Sequence, residues 1–529
     1  MTRETEKVWA KELGCQAAIK FHSTACSDIR VNKVYVLLLL ALGFCFLIAQ
    51  TYPLIQVLET SKIWCTGSSG SSSLQATAVA GAATTASDNT NPNPLSVSFL
   101  HERINSSTID LSHGEVRVFK PHGMAAHLFI EMGTYRGGPR SFSIVGLASK
   151  PIDIFHHPPY ACEWISRGGG GGGGGGSSEA AAPVVVKGEV HKILPDWNYG
   201  RLYTVVVLTC KFKEDVGTDK SGGDLVLYAS YGDKYREPER IVVFTEVKDE
   251  YNATLFNPPF PYDYVYCGSS IYGDVSPQRM REWMAYHANF FGNRSHFFFH
   301  DSGGFHDDVR RVLEPWIKQG RVTIQNIQQQ EIYDGYYHNQ FLVVNDCLFR
   351  SRFLANWTFF FDVDEYMYVN PATTLSAVLE QDKNITQITI EQVPISSEIC
   401  IRDNSTNDYS RKWIFEKLVY RKVLKRGIRY DRKYAVQARH VEATGVHMSM
   451  NMLKGKNLYV KGDQIRYYHY HGTLDKRSEV CKHFVDPRNK TEVVTVQHEN
   501  HRIDETMFEI VAPTKQYELE TIGNLPTII

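Results

Sequence analysis

The chain has 529 residues, too many for one ordinary domain, so two or three folded units are expected. Lysine and arginine together number 57 and the acidic residues 58, so the net charge is close to zero. Because no basic stretch indicates a nucleic-acid surface, we expect no nucleic-acid partner. Aromatic residues make up 12 %, a share that suits carbohydrate binding as well as a β-rich core.

The first predicted element is a membrane anchor. Residues 1–33 form a short tail, and residues 34–55 follow as an apolar segment of 22 residues, long enough to span a bilayer as a helix. Arg30 and Lys33 precede it, and positive charge before the helix predicts a cytosolic N-terminus. A cleaved signal peptide is the alternative, although no small-residue cleavage site follows closely. We expect a single-pass type II protein of the Golgi membrane with a luminal body.

Glycosylation sequons and cysteines after the anchor agree with an oxidising lumen. The odd number of cysteines leaves at least one without an intramolecular partner, and Cys65 beside the membrane is the candidate. The sequons begin at Asn105, Asn252, Asn293, Asn356, Asn384, Asn404 and Asn489, and the cysteines are Cys65, Cys162, Cys210, Cys267, Cys347, Cys400 and Cys481.

Between the anchor and the C-terminal half, composition predicts a tether and a β-domain. Residues 56–94 include a stretch rich in Ser, Ala, Thr and Gly that cannot bury a core, so they are expected to form a flexible stem. Residues 95–237 contain short apolar runs separated by Gly and Pro, which predict an antiparallel β-sandwich. A run of nine glycines, Gly168–Gly176, is expected to be a disordered surface loop within it.

From residue 238 to 529 the pattern changes to alternating strands and helices, which predicts an α/β domain with a mainly parallel sheet flanked by helices. Ligands bind such sheets at the carboxyl ends of the strands. The predicted strands are 240–247, 262–268, 296–300, 321–326 and 357–362, and the predicted helices are 279–291, 309–319 and 336–352.

The acidic pair Asp362 and Asp364 follows the aromatic strand Asn356–Phe361. In extended backbone the two carboxylates project to one face, with Val363 turned back to the core. Adjacent carboxylates at the end of a buried strand repel one another unless positive charge lies there. A hard divalent cation that also holds a diphosphate meets that need, although a chance acidic turn is the bland alternative.

Several linked motifs follow one another along the C-terminal half. They are Arg281–His287, Phe297–Asp301, Gln340, Asn345–Cys347 and Phe361–Glu365. These motifs occur in the same order in glycosyltransferase family 92, which the chain resembles over about residues 238–500, and within it the plant galactan synthases. The resemblance implies a GT-A catalytic fold, a type II Golgi protein, and a β-sandwich similar to a carbohydrate-binding module at 95–237.

The resemblance also implies an activity. UDP-galactose is the expected donor and a β-1,4-galactan chain of pectin, the side chain of rhamnogalacturonan I, the expected acceptor. An α-linked donor and a β-linked product mean inversion in one displacement, so a general base must take the acceptor proton. A metal, Mn²⁺ or Mg²⁺, is expected to stabilise the departing UDP.

The resemblance suggests roles for further residues. His447 is expected to join Asp362 and Asp364 as a metal ligand, with His440, His469 and His471 as rivals or an ordinary histidine as the alternative. Glu391 and Glu398 are the candidate bases, and either could be an ordinary exposed acid.

Contact with the nucleotide is expected from Arg281 and Asp301, although Arg281 could instead be a structural helix residue. Three other hypotheses stay open. The acceptor could be another glycan, the chain could be a non-catalytic glycan-binding scaffold, and by analogy with luminal transferases it could be a homodimer.

Overall fold

The computed structural model describes residues 115–123, 127–149, 158–167, 184–191, 193, 202–232, 236–333, 337–401, 412–423, 431–475, 481–485 and 493–525. The predicted tail, anchor and stem, the beginning of the β-domain and the polyglycine loop lie outside these residues. Within the described ranges, no helix has both the length and the apolar character needed to cross a membrane.

Twenty-three strands run through the described residues. Eight form one antiparallel sheet in the order β2-β3-β4-β7-β6-β5-β8-β9. Its strands are β2 (Lys120–His122), β3 (Phe129–Arg136), β4 (Ser141–Ser149), β5 (Tyr160–Ser166), β6 (Val184–Val190), β7 (Tyr203–Lys211), β8 (Gly223–Ala229) and β9 (Glu239–Glu246).

A second, ten-stranded sheet is mixed. It consists of β1 (Glu115–Val116), β10 (Tyr262–Ile271), β11 (Ser295–Asp301), β12 (Val322–Asn326), β13 (Ala355–Phe360), β14 (Glu365–Val369), β15 (Ile385–Pro394), β18 (Arg432–Val436), β19 (Lys456–Tyr459) and β20 (Ile465–His469). The order is β1-β12-β11-β10-β13-β18-β15-β20-β14, with β19 paired to β15. The remaining strands form two small sheets: β16 (Ile399–Ile401) with β21 (His483–Val485), and β17 (Tyr420–Lys422) with β23 (Glu499–Ile503) and β22 (Val494–Val496).

Seven α-helices complete the described part. They are α1 (Pro277–Phe291), α2 (Asp307–Lys318), α3 (Gln340–Ser351), α4 (Leu375–Leu379), α5 (Ile414–Lys417), α6 (Thr506–Glu509) and α7 (Val511–Ile522). Helix α1 begins where sequence rules place it, since the Ser276 hydroxyl accepts the Arg279 N–H and proline fills the first turn.

The predicted fold class, a mainly parallel GT-A-type α/β sheet preceded by an all-β sandwich, is wrong, whereas the transmembrane helix predicted before them lies outside the described residues. Strand outweighs helix, 41 % against 22 %. Only β1, β12, β11, β10 and β13 run parallel as a block, because β18 pairs antiparallel with β13 and with β15. The β-domain is one continuous antiparallel sheet, curled so that β3 meets β9, rather than two stacked sheets. Strand β9, inside the segment predicted as catalytic, is its edge.

Three cores explain the layers. One lies on the face of the mixed sheet covered by α1 and α2, with Trp283 and Trp316 fully buried. A second fills the inside of the curled antiparallel sheet. The third joins the other face of the mixed sheet to the antiparallel sheet across α3, so that Ile130 and Met132 belong to the same core as Leu342 and Phe360. The two sheets are therefore packed as one body.

A buried carboxylate reinforces this junction. Asp346 on α3 accepts hydrogen bonds from Arg117 (3.1 Å), from the Tyr135 hydroxyl on β3, and from Arg350 Nε (2.8 Å). His300 on β11 lies 2.8 Å from its second oxygen. The guanidinium groups outweigh the effect of burial and hold the pKa of Asp346 well below its ordinary range. An ionised Asp346 thus ties three elements together.

Disulfides join six of the predicted luminal cysteines. The pairs are Cys162–Cys210, Cys267–Cys347 and Cys400–Cys481, while Cys65 lies outside the described residues. Cys267–Cys347 connects β10 to α3, the two elements that flank the end of β13.

Candidate active site

The parallel block places a crevice beside the predicted acidic pair. In the sheet order β12-β11-β10-β13, strand β10 lies next to β13. Of these four strands, β10 comes first along the chain and β13 comes last. The chain leaves β10 through α1 on one face and reaches β13 through α3 on the other, as the separate cores of the two helices show. At such a switch point the connecting segments diverge and leave an opening at the carboxyl ends of the strands. Asp362 and Asp364 follow β13 at this opening.

The two aspartates lie in a turn rather than in extended backbone, because the Glu365 N–H bonds to the Asp362 carbonyl at 3.2 Å. Val363 is buried, as predicted. The turn directs Asp362 toward β18 and Asp364 toward β20, and the buried Glu365 lies between them. The Asp362 backbone N–H donates to Glu365 Oε2 at 2.7 Å.

Lys433, which the sequence reasoning missed, is the cation of this cluster. Its Nζ lies 2.5 Å from Asp362 Oδ2 and 3.4 Å from Glu365 Oε2, and its side chain is 4 % exposed. Lys433 directly precedes the apolar residues Tyr434–Val436 of β18. Because a charged residue on a buried strand needs a partner, this pattern could have indicated an ion pair. The side chain of Asp362 is 36 % exposed, and it also interacts with the side chain of Ser269.

His469 provides the partner for Asp364. Its Nε2 lies 3.5 Å from Asp364 Oδ2, and Gln392 donates its side-chain amide to Nδ1, which leaves the ring proton on Nε2 facing the carboxylate. Burial lowers the pKa of His469, but Asp364 outweighs burial and the net shift is upward. His469 thus presents its Nε2 proton to the carboxylate of Asp364.

Burial and the surrounding charges shift the pKa values of Asp362 and Glu365 in opposite directions. Burial raises the pKa of Asp362, but Lys433 outweighs it, so the pKa falls below its ordinary value. Burial and the neighbouring acids raise the pKa of Glu365 to about 8, against the opposing effect of Lys433. Near neutral pH, Asp362 is therefore ionised and Glu365 holds a proton.

His447 follows β18 near the acidic turn, and its role as a metal ligand stays a prediction. Its Nδ1 donates to the Arg432 carbonyl at 3.0 Å, the ring is exposed, and it lies within electrostatic reach of Asp362. Metal-bound histidines typically donate one ring N–H to a carbonyl in this way, which leaves the other nitrogen free to bind. Asn345 on α3 fixes this segment through two hydrogen bonds to the backbone of Thr444, at 2.8 and 2.9 Å.

By donor type, the residues at the opening suit a divalent cation. Asp362 and Asp364 offer carboxylate oxygens and His447 offers Nε2, which are hard or borderline donors, but among the described residues these ligand atoms do not all lie within 4.8 Å of one another. The Tyr467 hydroxyl also points among these acids, which together with burial raise its pKa, and it has no hydrogen-bond partner among the described residues. A bound group at the crevice would satisfy it.

Two predicted nucleotide contacts have structural roles. Arg281 forms a bidentate ion pair with Glu518 of α7, at 2.8 and 2.9 Å, the alternative that the sequence left open. Asp301 ends β11 at the carboxyl edge, but its carboxylate accepts the N–H groups of Gly303 and Phe305 and pairs with Arg310. Its oxygens are occupied in shaping the loop after β11.

Neither candidate base contacts the cluster. Glu391 is paired with Arg432 and Arg466 in the sheet register, whereas its neighbour Ile390 is paired with Lys433. Because side chains alternate along a strand, Glu391 projects from the face opposite Lys433. Glu398 pairs with Lys482 at 2.7 Å, and this hydrogen bond lowers the pKa of its carboxyl.

A wall of rings stands on the β10 side of the crevice. Tyr272, directly after β10, stacks on His338 with ring centroids 3.8 Å apart, and Tyr337 meets Tyr272 edge-on. The Ser270 hydroxyl donates to the His338 carbonyl at 2.5 Å. Residues Tyr337–Asn339 all have positive φ, a costly conformation for non-glycine residues that is typical of functional sites. No sequence pattern indicated this wall.

One further group of potential ligands lies away from the crevice: Glu189, His191 and Glu442. Lys211 already neutralises it, since its Nζ lies 2.7 Å from Glu442 and 3.2 Å from Glu189. This group joins the antiparallel sheet to the segment that carries His447, and an ammonium takes the place that a metal would need.

Comparison with known proteins gives a consistent result. The profile of glycosyltransferase family 92 matches residues 262–510. The chain is 50 % identical over 407 residues to galactan β-1,4-galactosyltransferase GALS1 of Arabidopsis thaliana, covering 77 % of this chain and 79 % of that protein. It is 46 % identical over 415 residues to GALS3 of the same plant, with the same coverage. A solved active-site mutant of LgtC, 11 % identical, covers 50 % of this chain and 97 % of its own, but its TM-score of 0.25 supports no argument.

Proposed function

Because the chain belongs to glycosyltransferase family 92, we propose that the crevice beside Asp362 and Asp364 transfers galactose from UDP-galactose to β-1,4-galactan side chains of pectin. The chain is a galactosyltransferase that acts on galactan, as its relatives named galactan β-1,4-galactosyltransferases indicate. The sugar nucleotide, the pectic acceptor and the metal are the parts that we propose. The observation that carries them is the acid cluster at the switch-point opening.

The donor would lie across the opening. Open sheets bind nucleotides at this edge, and the rings of Tyr272 and Tyr337 offer flat apolar surface to a base or a sugar. Asp362, Asp364 and His447 would hold Mn²⁺ or Mg²⁺, which when bound neutralises charge on the departing diphosphate.

The residues around the opening have separate tasks. Lys433 and His469 keep the acids in place. Asp364 pairs with His469 rather than with Lys433, and the proposal assigns it to the catalytic groups through the metal that it would hold. Inversion also requires a base that accepts the acceptor proton.

The proposal extends to location. A type II Golgi protein anchored by residues 34–55 is supported by the apolar segment with basic residues before it, and by the sequons and paired cysteines after it.

Asp364→Asn tests the active site. With UDP-galactose, Mn²⁺ and galacto-oligosaccharides, we expect the wild-type chain to extend the acceptor and the variant to lose about 100-fold or more in kcat. Its thermal midpoint should stay close to that of the wild type. Asp382→Asn, which removes an exposed acid paired with Lys456, is the matched control and should retain activity. Unchanged transfer by Asp364→Asn would contradict the site, and no extension by the wild type would contradict the reaction.

A further inference from the structure

Lys433 occupies an unusual place for a lysine. Its ammonium is almost fully removed from solvent, with 4 % of the side chain exposed, and it lies between Asp362 and Glu365. Its Nζ lies 2.5 Å from Asp362 Oδ2 and 3.4 Å from Glu365 Oε2, so two carboxyl groups contact the ammonium directly.

The position of Lys433 is set by the sheet rather than by the site. Strand β18 runs antiparallel between β13 and β15, with Phe360 opposite Tyr434 and Ile390 opposite Lys433. Neighbouring strands thus hold its backbone on both sides. The side chain reaches across the end of β13 to the acidic turn.

The charges around Lys433 do not balance without it. Asp362, Asp364 and Glu365 lie within one turn, and His469 is the other basic residue that contacts them among the described residues. His469 pairs with Asp364 and lies 4.0 Å from Glu365. For Asp362, the closest positive charge is Lys433.

We propose that Lys433 is a positioning residue for galactosyl transfer, a resident counter-charge that holds Asp362 and Glu365 in their reactive arrangement before donor or cation arrives. It pairs with Oδ2 of Asp362 and does not contact Asp364, and the side chain of Asp362 stays 36 % exposed beside it. The role in galactosyl transfer rests on the proposed function. The pairing of Lys433 with the two acids does not depend on it.

This arrangement has a measurable consequence. In the wild type the cluster is already neutralised in part, so a divalent cation adds little to the stability of the fold. Without Lys433 the same cation must also replace the missing positive charge. Stabilisation by the cation should then be larger in the variant than in the wild type.

The experiment compares thermal midpoints of the full chain after chelation and after addition of Mn²⁺ alone. We expect Lys433→Met to lower the midpoint by about 5–10 °C without metal, and Mn²⁺ to restore several degrees more than it adds to the wild type. Lys433→Arg keeps the charge and should behave like the wild type in this respect. Lys456→Met, which breaks an exposed lysine–aspartate pair of the same 2.5 Å separation, is the control and should show the wild-type response.

A double variant keeps the test decisive if Lys433→Met does not fold. Lys433→Met with Asp362→Asn removes one charge of each sign, so it should fold and regain most of the lost midpoint. Failure of this pair to improve on Lys433→Met, or an equal Mn²⁺ response in wild type and Lys433→Met, would overturn the proposal.

Kinetics separate positioning from a purely structural role. In Lys433→Arg, we expect kcat to fall about tenfold or more while KM for the donor changes little, because the cluster is charged but misplaced. Wild-type kcat in Lys433→Arg would contradict positioning. A wild-type chain without transferase activity would instead reject the proposed function, and the midpoints would still decide the role of the charge.

Discussion

His287 shows how one buried side chain links pH to stability. Its ring lies in the core behind the acidic turn, where Nδ1 donates to the Trp283 carbonyl and Nε2 accepts the Met367 N–H. Both nitrogens are therefore committed to the neutral ring. Burial lowers the pKa of His287 from the ordinary 6.5 to about 3.

Acid should therefore destabilise the fold through this residue. Because the pKa is lower in the folded than in the unfolded state, stability is complete above pH 6.5 and is lost as the pH falls toward 3. At pH 5 the expected loss is about 2 kcal/mol. Urea unfolding of His287→Gln, which can keep both hydrogen bonds, should show a shallower fall between pH 7 and 5. His306→Gln, at an exposed histidine, should fall as steeply as the wild type, and an equally steep fall for His287→Gln would count against the assignment.

At the same scale, the sequence located the acidic turn but not its partners. Asp362 and Asp364 are close in sequence and follow a recognisable buried strand. Lys433 and His469 reach them only through antiparallel pairing of strands about 70 and 100 residues away, which no local pattern encodes. Arg281 was ambiguous because its partner, Glu518, lies on a distant helix.

Among the elements, β10 and α3 decide the shape of the crevice, and the Cys267–Cys347 disulfide joins them. The bond closes a loop of 80 residues between the flanks of the site. Both sulfur atoms lie in the core that the two sheets share. Loss of this bond should therefore affect both stability and activity.

Replacing Cys267 and Cys347 together with alanine should lower the free energy of unfolding by about 2–4 kcal/mol, because the unfolded chain gains freedom. Donor KM should also rise, since Tyr272 directly follows β10. The Cys400–Cys481 pair closes a loop of similar length, 81 residues, and provides the matched control. Denaturant titration and donor kinetics check both effects. An equal change in donor KM for the two pairs would contradict a specific role for the first.

The strand–helix alternation from 262 to 362 predicted these elements with bounds close to those observed, since each has a clear period and punctuation. The half of the mixed sheet after Glu365 was not predicted. Its strands pair out of sequence order, β15 with β18, β19 and β20, so neighbours along the chain are not neighbours in the sheet. Long-range pairing of this kind explains the error in fold class.

At the scale of the whole molecule, the antiparallel sheet and the transferase region share a core and the buried Asp346 network. The domain boundary predicted at residue 238 would separate residues that belong to this core and to this network. A chain that begins there would lose Arg117 and Tyr135, and it would expose the apolar face of α3.

We expect a chain beginning at residue 238 to be insoluble or aggregated, because it exposes apolar surface and leaves Asp346 with fewer of its hydrogen-bond donors. Size-exclusion chromatography and thermal melting check this. A chain beginning at residue 115 keeps the core that the two sheets share. It should elute as a compact species and melt in a single transition. Cooperative folding of the shorter chain would show that the two sheets are independent.

The shared core also limits how this protein can change over generations. A module with its own interior can be lost, gained or exchanged between genes without repacking its neighbour. Here a substitution at Met132 or Tyr135 alters the surroundings of α3, and hence of Asn345, which fixes the segment carrying His447. We therefore expect positions that face one another across this shared core to vary in concert among descendants of this gene, and the two sheets to be inherited as a single unit.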